Sequence, residues 1–274
     1  MSLGIAFKGP EGIVLAADSR VTLMAQTLGQ NVIIPASYDN ATKLLRVAGQ
    51  GHVGTVTYGA GALGHQDFRT AHSLMPEFED HLRSKGVNNR LTVQDYANEL
   101  SAFFLAQWNA RMPSPPPGVP QMDMAFLVGG YDENDAYGRV FECFVPSNPT
   151  PRETLPGAGV FGLTWGGQRE YIDRLLRGFD DGLPVLTQQF LQLPDAKRDE
   201  LKQHLTNSLN SPIPYQFLPL QDCVDLSVFL IRTTMKLQTW LIGVRGVGGA
   251  IDVATITRTE GFQPVKLKRI TGEV

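Results

Sequence analysis

Cysteine is scarce in this chain: Cys143 and Cys223 are the two among 274 residues. That is too few for a disulfide scaffold, and their spacing suits no metal site, so both read as small buried apolar residues of a protein in a reducing cytoplasm. Dense runs of one charge are lacking as well. The net charge is -3 and the isoelectric point is near 6.0. The most basic stretch, Lys266-Leu267-Lys268-Arg269, reads as a solvated strand face, so nucleic acid is not an expected partner. No long hydrophobic run occurs; the most apolar segment, Val224 to Val244, carries Asp225, Arg232 and Lys236, which argues against a membrane span. Neither the basic start nor the apolar stretch of a secretory signal stands before Ser2. The five histidines (His52, His65, His72, His81 and His204) share no ligand spacing with carboxylates or cysteines. No metal or other cofactor is expected, and no internal repeat is found.

What is present is enough apolar sequence, 42% of residues, to fill the core of one large domain over 1–274. Apolar runs predict strands at 3–8, 12–18, 43–48 and 53–58. Helical patterns follow at about 60–86 and 92–111, the second opened by a Thr92 cap with Asp95 three residues on. The proline-rich stretch from Met112 to Pro120 reads as a rigid loop. Strands resume at 122–131 and 138–146, with a short one near 159–164, then a helix at about 168–179. Residues 183–220 look like an insertion with a charged helix at 195–208. A last long helix at 221–242 precedes strands at 249–257 and 263–270. Helices set between blocks of hairpins predict an α+β fold, two antiparallel sheets covered by helices, rather than a doubly wound parallel sheet.

Two glycine patterns need weighing. Gly59 to Gly64 satisfies G-x-G-x-x-G after a strand and before a helix, but a dinucleotide site needs a second parallel strand ending in an acid about twenty residues on. Here the helical pattern continues past Glu77 and Glu79. The second match, Gly49 to Gly54, falls in a hairpin turn. Neither makes a cofactor site.

The beginning of the chain is the most informative part. Ser2 follows Met1, and a strand from Leu3, the Gly9-Pro10-Glu11-Gly12 turn and a second strand lead to Asp18-Ser19-Arg20. Lys43 follows in Asn40-Ala41-Thr42-Lys43-Leu44-Leu45. A hydroxyl residue with a free α-amine carries nucleophile and base together. The stretch Ala6-Phe7-Lys8 through Gly12 to Thr22 resembles, without a gap, the opening hairpin of proteasome β-subunits, and so of N-terminal nucleophile hydrolases. Asn40 to Lys43 resembles that family's lysine strand, Thr57-Tyr58-Gly59-Ala60-Gly61-Ala62 its oxyanion turn, and Gly248-Gly249-Ala250-Ile251 its glycine pair. Surplus length lies at 26–40, 112–121 and 183–220. Bacterial self-compartmentalising homologues of the proteasome are the nearer relatives by this resemblance.

The resemblance implies a four-layer αββα sandwich and a peptidase whose nucleophile is Ser2 once Met1 is removed. Lys43 would lower the amine's pKa, Asp18 would hold Lys43, and Arg20 would brace the network. The backbone at Gly59 and Ala60, with the Ala60 amide pointing outward, would form the oxyanion hole. Val21 and Thr22 would pair with an extended peptide as an added strand. It also implies a homo-oligomeric ring, with a stacked double ring and an ATPase unfoldase among the family's assemblies, acting on peptides or unfolded proteins. Two departures stand out. The family's Asp-x-x-Ser appears here as Val244-Arg245-Gly246-Val247, and its Ser-Gly as Trp165-Gly166-Gly167, with Thr164 the nearest hydroxyl. They leave two other functions open: a ring that binds without cleaving, and an amidase for small molecules.

Overall fold

β1 (Leu3–Lys8) and β2 (Ile13–Asp18) form an antiparallel hairpin buried on both faces, with Gly4 opposite Ala17 and Lys8 opposite Ile13. The Gly9 amide donates to the Gly12 carbonyl at 2.9 Å and closes the turn. The computed structural model describes residues 2–26, 33–64, 67–87, 89–113 and 122–269. Within these, β3 (Val21–Gln26) pairs with β4 (Ile33–Tyr38) as a two-stranded ribbon, and β4 lies in the stretch 26–40 that the sequence reading had taken as surplus chain. β5 (Leu44–Leu45) is much shorter than the run over 43–48 that was expected, and β6 (Val53–Gly59) follows it.

The helix expected from residue 60 does not begin until Met75. Gly59 and Gly64 take φ of +85° and +104°, which a helix cannot contain, and a bridge between Leu63 and Arg69 holds the chain in a loop. After one tight turn at His72–Leu74 comes α1 (Met75–Ser84), with Pro76 in its first turn, where a missing N–H is harmless. α2 (Val93–Arg111) starts as its sequence predicts: the Thr92 hydroxyl accepts from the Asp95 amide at 3.0 Å. β7 (Met124–Gly130), β8 (Arg139–Val145) and β9 (Asn148–Glu153) form a meander. β9 was missed because Pro149 and Pro151 break its pattern; it is an edge strand, where proline is tolerated. β10 (Gly162–Gly167) then returns to pair with β1. Of the loop expected from Met112 to Pro120, residues 114–120 lie outside the described residues.

Next come α3 (Glu170–Arg177), α4 (Gly182–Leu191), α5 (Asp195–Leu209) and α6 (Leu220–Trp240), then β11 (Ile251–Thr257) and β12 (Gly261–Lys266). α4 was not foreseen. Among the described residues two five-stranded antiparallel sheets form, ordered β10-β1-β2-β11-β12 and β5-β6-β7-β8-β9. Their inner faces meet: Ala6, Leu15 and Ala17 of the first share a core with Val56, Tyr58 and Leu127 of the second. The second sheet's other face buries Phe126, Val128 and Cys143 against Phe78 of α1 and Tyr96 and Phe104 of α2. α6 lies along β1, β2 and β11 of the first sheet. Each layer is joined by apolar burial, at roughly 25 cal/mol per Å² removed from water. Among the described residues no helix is long and apolar enough to cross a membrane.

The chain divides into two compact units, Met1–Gly167 with Tyr215–Val274, and Gln168–Pro214. The smaller unit has its own ties. Gly178 ends α3 at φ +78°, the Ser211 amide donates to the Leu176 carbonyl at 2.7 Å, and Lys202 of α5 pairs with Asp181 at 2.7 Å.

Candidate active site

β1 and β2 end side by side, and that register sets Ser2 and Asp18 at the same end of the first sheet. Asp18 is wholly buried and its carboxylate accepts four hydrogen bonds. Oδ1 accepts from Lys43 Nζ at 2.6 Å and from the Leu3 amide at 2.9 Å. Oδ2 accepts from the Arg20 amide at 3.1 Å and the Gly248 amide at 2.9 Å. Lys43 is only 6% exposed, and its burial drives its pKa below the ordinary lysine value, with the Asp18 charge opposing the shift. Lys43 reaches this place because its own carbonyl accepts from the Thr57 amide at 3.0 Å, tying it to β6.

Ser2 is 3% exposed, and its Oγ accepts from the Gly59 amide at 3.0 Å. Here the structure corrects one detail. The Ala60 amide does not point outward; it donates to the Asp123 carbonyl at 2.8 Å. The donor that faces the serine is one residue earlier, at Gly59. With φ at +85° and room for no Cβ (one would lie 2.2 Å from the Asp123 carbonyl oxygen), Gly59 turns its amide toward the serine. A strand-ending glycine before the loop was the signal in the sequence.

Arg20 does not touch Lys43 through its side chain. It makes a two-pronged pair with Asp39 at 2.5 and 2.7 Å and donates to the Arg245 carbonyl at 3.3 Å. It thereby clamps the segment that carries Gly248, whose Cβ would collide with the guanidinium at 2.5 Å. Asp39 was not singled out by sequence reasoning, having no motif around it. Val21 and Thr22 lie on β3, bonded to β4 along one edge; the other edge has no strand partner among the described residues. The Thr22 and Ser37 hydroxyls sit 3.0 Å apart.

The two sequence departures have physical counterparts. A side chain at Gly166 would run into the Tyr58 ring, its Cβ lying 2.2 Å from Cζ and 2.3 Å from the phenol oxygen. Tyr58 thus fills that space, and its hydroxyl donates to Glu142 at 2.7 Å. Thr164, the nearest hydroxyl, donates to Thr154 at 2.7 Å. Val247 is buried, and its amide donates to Gln238 at 3.0 Å. Ser2, Arg20, Val21, Lys43, Gly59 and Ala60 all line one small cavity.

No protein-family model matches the chain, and neither does any curated protein. Among solved structures the fold matches that of an Anbu mutant from Hyphomicrobium sp. strain MC1, at 15% identity and a TM-score of 0.51, covering 100% of this chain and 88% of that one. Anbu is a bacterial protein of proteasome-like, N-terminal nucleophile hydrolase fold. At this identity the likeness is one of fold alone. The two antiparallel sheets and their helices fit a proteasome-like fold.

Proposed function

We propose that the chain is a hydrolase that cleaves peptide amide bonds with Ser2 as an N-terminal nucleophile, in a four-layer αββα domain carrying insertions near 26–40, 112–121 and 183–220. The observation that carries this reading is the Ser2 hydroxyl held on the Gly59 amide, in one cavity with the buried Lys43–Asp18 pair. Removal of Met1 exposes the Ser2 amine. With an ordinary pKa of about 7.7–8.0, that amine takes the Oγ proton as Oγ attacks the substrate carbonyl. The buried Lys43 cation favours the neutral amine and the developing alkoxide. As the tetrahedral oxyanion forms, the Gly59 amide passes from Oγ to it. Collapse expels the amine half of the substrate, which leaves with the proton held by the Ser2 amine. An ester at Ser2 remains, and water activated by the same amine hydrolyses it. The open edge of β3 at Val21 and Thr22 pairs with the substrate backbone, while Asp18 and Arg20 hold the site in place. The chain works as a cytoplasmic homo-oligomer.

Intact mass before and after treatment with a peptide epoxyketone tests this, because the reagent needs the hydroxyl and free amine of one residue. Loss of Met1 with one adduct on Ser2, absent in Ser2→Ala, is the expected result. The Tyr58 ring over Gly166 favours a second reading, a binding compartment that has lost its chemistry. Retained Met1 and no adduct would establish that one instead.

A further inference from the structure

A second buried ion pair stands close to the first. Asp252, on β11, is 1% exposed and takes its cation from beyond the end of β12. The Lys268 amide donates to Oδ1 at 2.8 Å, and Lys268 Nζ donates to Oδ2. In the sequence Lys268 reads as part of a solvated strand face, yet its side chain is only 14% exposed.

Register, packing and hydrogen bonds bring this pair to Lys43. On β2 and β11, Ile251 lies opposite Asp18 and Asp252 opposite Ala17, so the two carboxylates are diagonal neighbours. β5, which begins one residue after Lys43, packs against both of these strands. Thr42 and Leu44, on either side of Lys43, line one cavity of about 420 Å³ with Leu267, the residue before Lys268. Ser19 ties the parts together. Its carbonyl accepts from the Ala41 amide at 2.9 Å, and its hydroxyl donates to the Ala250 carbonyl at 2.7 Å and lies 3.5 Å from Asp252 Oδ2.

The charged groups around Lys43 are thus Asp18 from β2, Asp252 from β11, Lys268 from beyond β12 and Asp39 from beyond β4. The Ser2 amine and Arg20 share its cavity, and Arg20 is matched by Asp39. β6 adds Tyr58, whose hydroxyl is spent on Glu142, and Arg46 on Lys43's own segment is exposed. Burial is the first cause of the lowered Lys43 pKa; the Asp18 charge opposes it, Lys268 adds to it and Asp252 opposes it. Charges this deeply buried are little screened by salt.

We infer that Asp252 and Lys268 are positioning residues that act through Lys43, each charge biasing the Lys43 ammonium in the opposite sense to the other. The inference rests on the proposed roles of Ser2 and Lys43 and adds two residues that act at one remove from the nucleophile.

The test uses full-length protein whose Met1 has been shown by mass to be absent. It reads, by intact mass, the rate at which a peptide epoxyketone forms its adduct on Ser2 between about pH 7 and pH 11. Lys268→Met leaves the Asp252 charge unmatched beside Lys43, so the alkaline fall in rate moves to higher pH by roughly half to one pH unit. Asp252→Asn leaves the Lys268 charge unmatched and moves the fall to lower pH by a similar amount. The double variant Lys268→Met/Asp252→Asn falls between the two, and Lys268→Arg stays at the native position. Where the fall lies on the pH axis does not depend on how much of a preparation is folded, and a merely structural pair gives no reason for opposite shifts. If one of the two single variants does not fold, the displacement of the other, with Lys268→Arg unmoved, decides. Falls that coincide in every variant, or that move the same way in Lys268→Met and Asp252→Asn, overturn the inference and leave the Ser2 reading standing. No adduct at any pH in the unmodified protein overturns the Ser2 reading and this inference with it.

Discussion

Asp18→Asn keeps the shape of a wholly buried side chain but removes its charge and half its capacity to accept. The native carboxylate takes two donors on each oxygen, Lys43 and Leu3 on one, Arg20 and Gly248 on the other. An asparagine can serve one pair, and its NH₂ group then faces the other pair donor to donor. Breaking a buried ion pair by neutralising one partner costs about 3–5 kcal/mol, because the surviving charge is left unmatched. Lys43→Met is a different perturbation. Asp18 keeps its three backbone donors, and the methionine no longer has to hold a cation out of water, so the loss is about 1–3 kcal/mol. For a chain of this size 1 kcal/mol is about 2–4 °C in Tm, so Asp18→Asn should fall by roughly 6–20 °C and Lys43→Met by a clearly smaller amount. Both should lose peptide cleavage. Urea denaturation of the two variants and of the double variant Asp18→Asn/Lys43→Met gives the comparison. The double variant should be more stable than the sum of the single losses, by about 0.5–3 kcal/mol. Lys43→Met as destabilising as Asp18→Asn, or a strictly additive double variant, would refute the account of Asp18 as the common acceptor.

Three further outcomes follow from the same geometry. Gly59→Ala should lower stability by about 1–3 kcal/mol and abolish the Ser2 adduct, since the new Cβ lands 2.2 Å from the Asp123 carbonyl oxygen at a φ of +85°; an adduct at the native rate would count against the Gly59 amide as oxyanion donor. In the proposed mechanism Lys43 acts as a cation, and burial holds its pKa below the ordinary 10.5, so the alkaline fall of kcat/KM should begin below that value. In the same window, from the lowered pKa up to 10.5, the unfolded chain binds the proton the folded chain has released, so this group's share of stability rises with pH while the rate falls; pH profiles of rate and Tm moving in the same direction would contradict it. Burial pushes the thiol of Cys143 up to about 12 and that of Cys223 up to about 11, so neither should react promptly with a thiol-disulfide reagent at pH 8 until the chain is unfolded, and a fast native reaction would oppose that.

Much of the frame was legible before the structure. The opening hairpin read correctly because β1 and β2 are apolar on both faces, and α2 because Thr92 and Asp95 announce its start. The described residues 60–64 and 67–71 were misread as helix, since their apolar spacing looks helical while the glycines at 59 and 64 forbid it. β9 was hidden by its prolines, and β4 lay in what looked like surplus length. At the site, motifs placed Ser2, Asp18 and Lys43. They could not show which amide faces the serine, because that depends on one backbone dihedral at Gly59. Asp39 and Tyr58 were illegible for another reason: their partners, Arg20 and Gly166, are neighbours only in three dimensions.

The strand order of the first sheet bears on how the molecule is made. The β1–β2 hairpin has β10 on one side and β11 on the other, so its two outer edges are filled by residues 162–167 and 251–257. Asp18 likewise takes one of its donors from Gly248, 230 residues along the chain. While the chain leaves the ribosome, from the N-terminus onward, the hairpin stands without either neighbour and the carboxylate without its full set of donors. The β1–β2 hairpin is made well before the strands that flank it. Contacts of such range are slow to form, since the loop entropy precedes the gain. A chain broken off before β11 therefore carries Ser2, Asp18 and Lys43 but lacks the Gly248 amide on the carboxylate and the strand that borders β2.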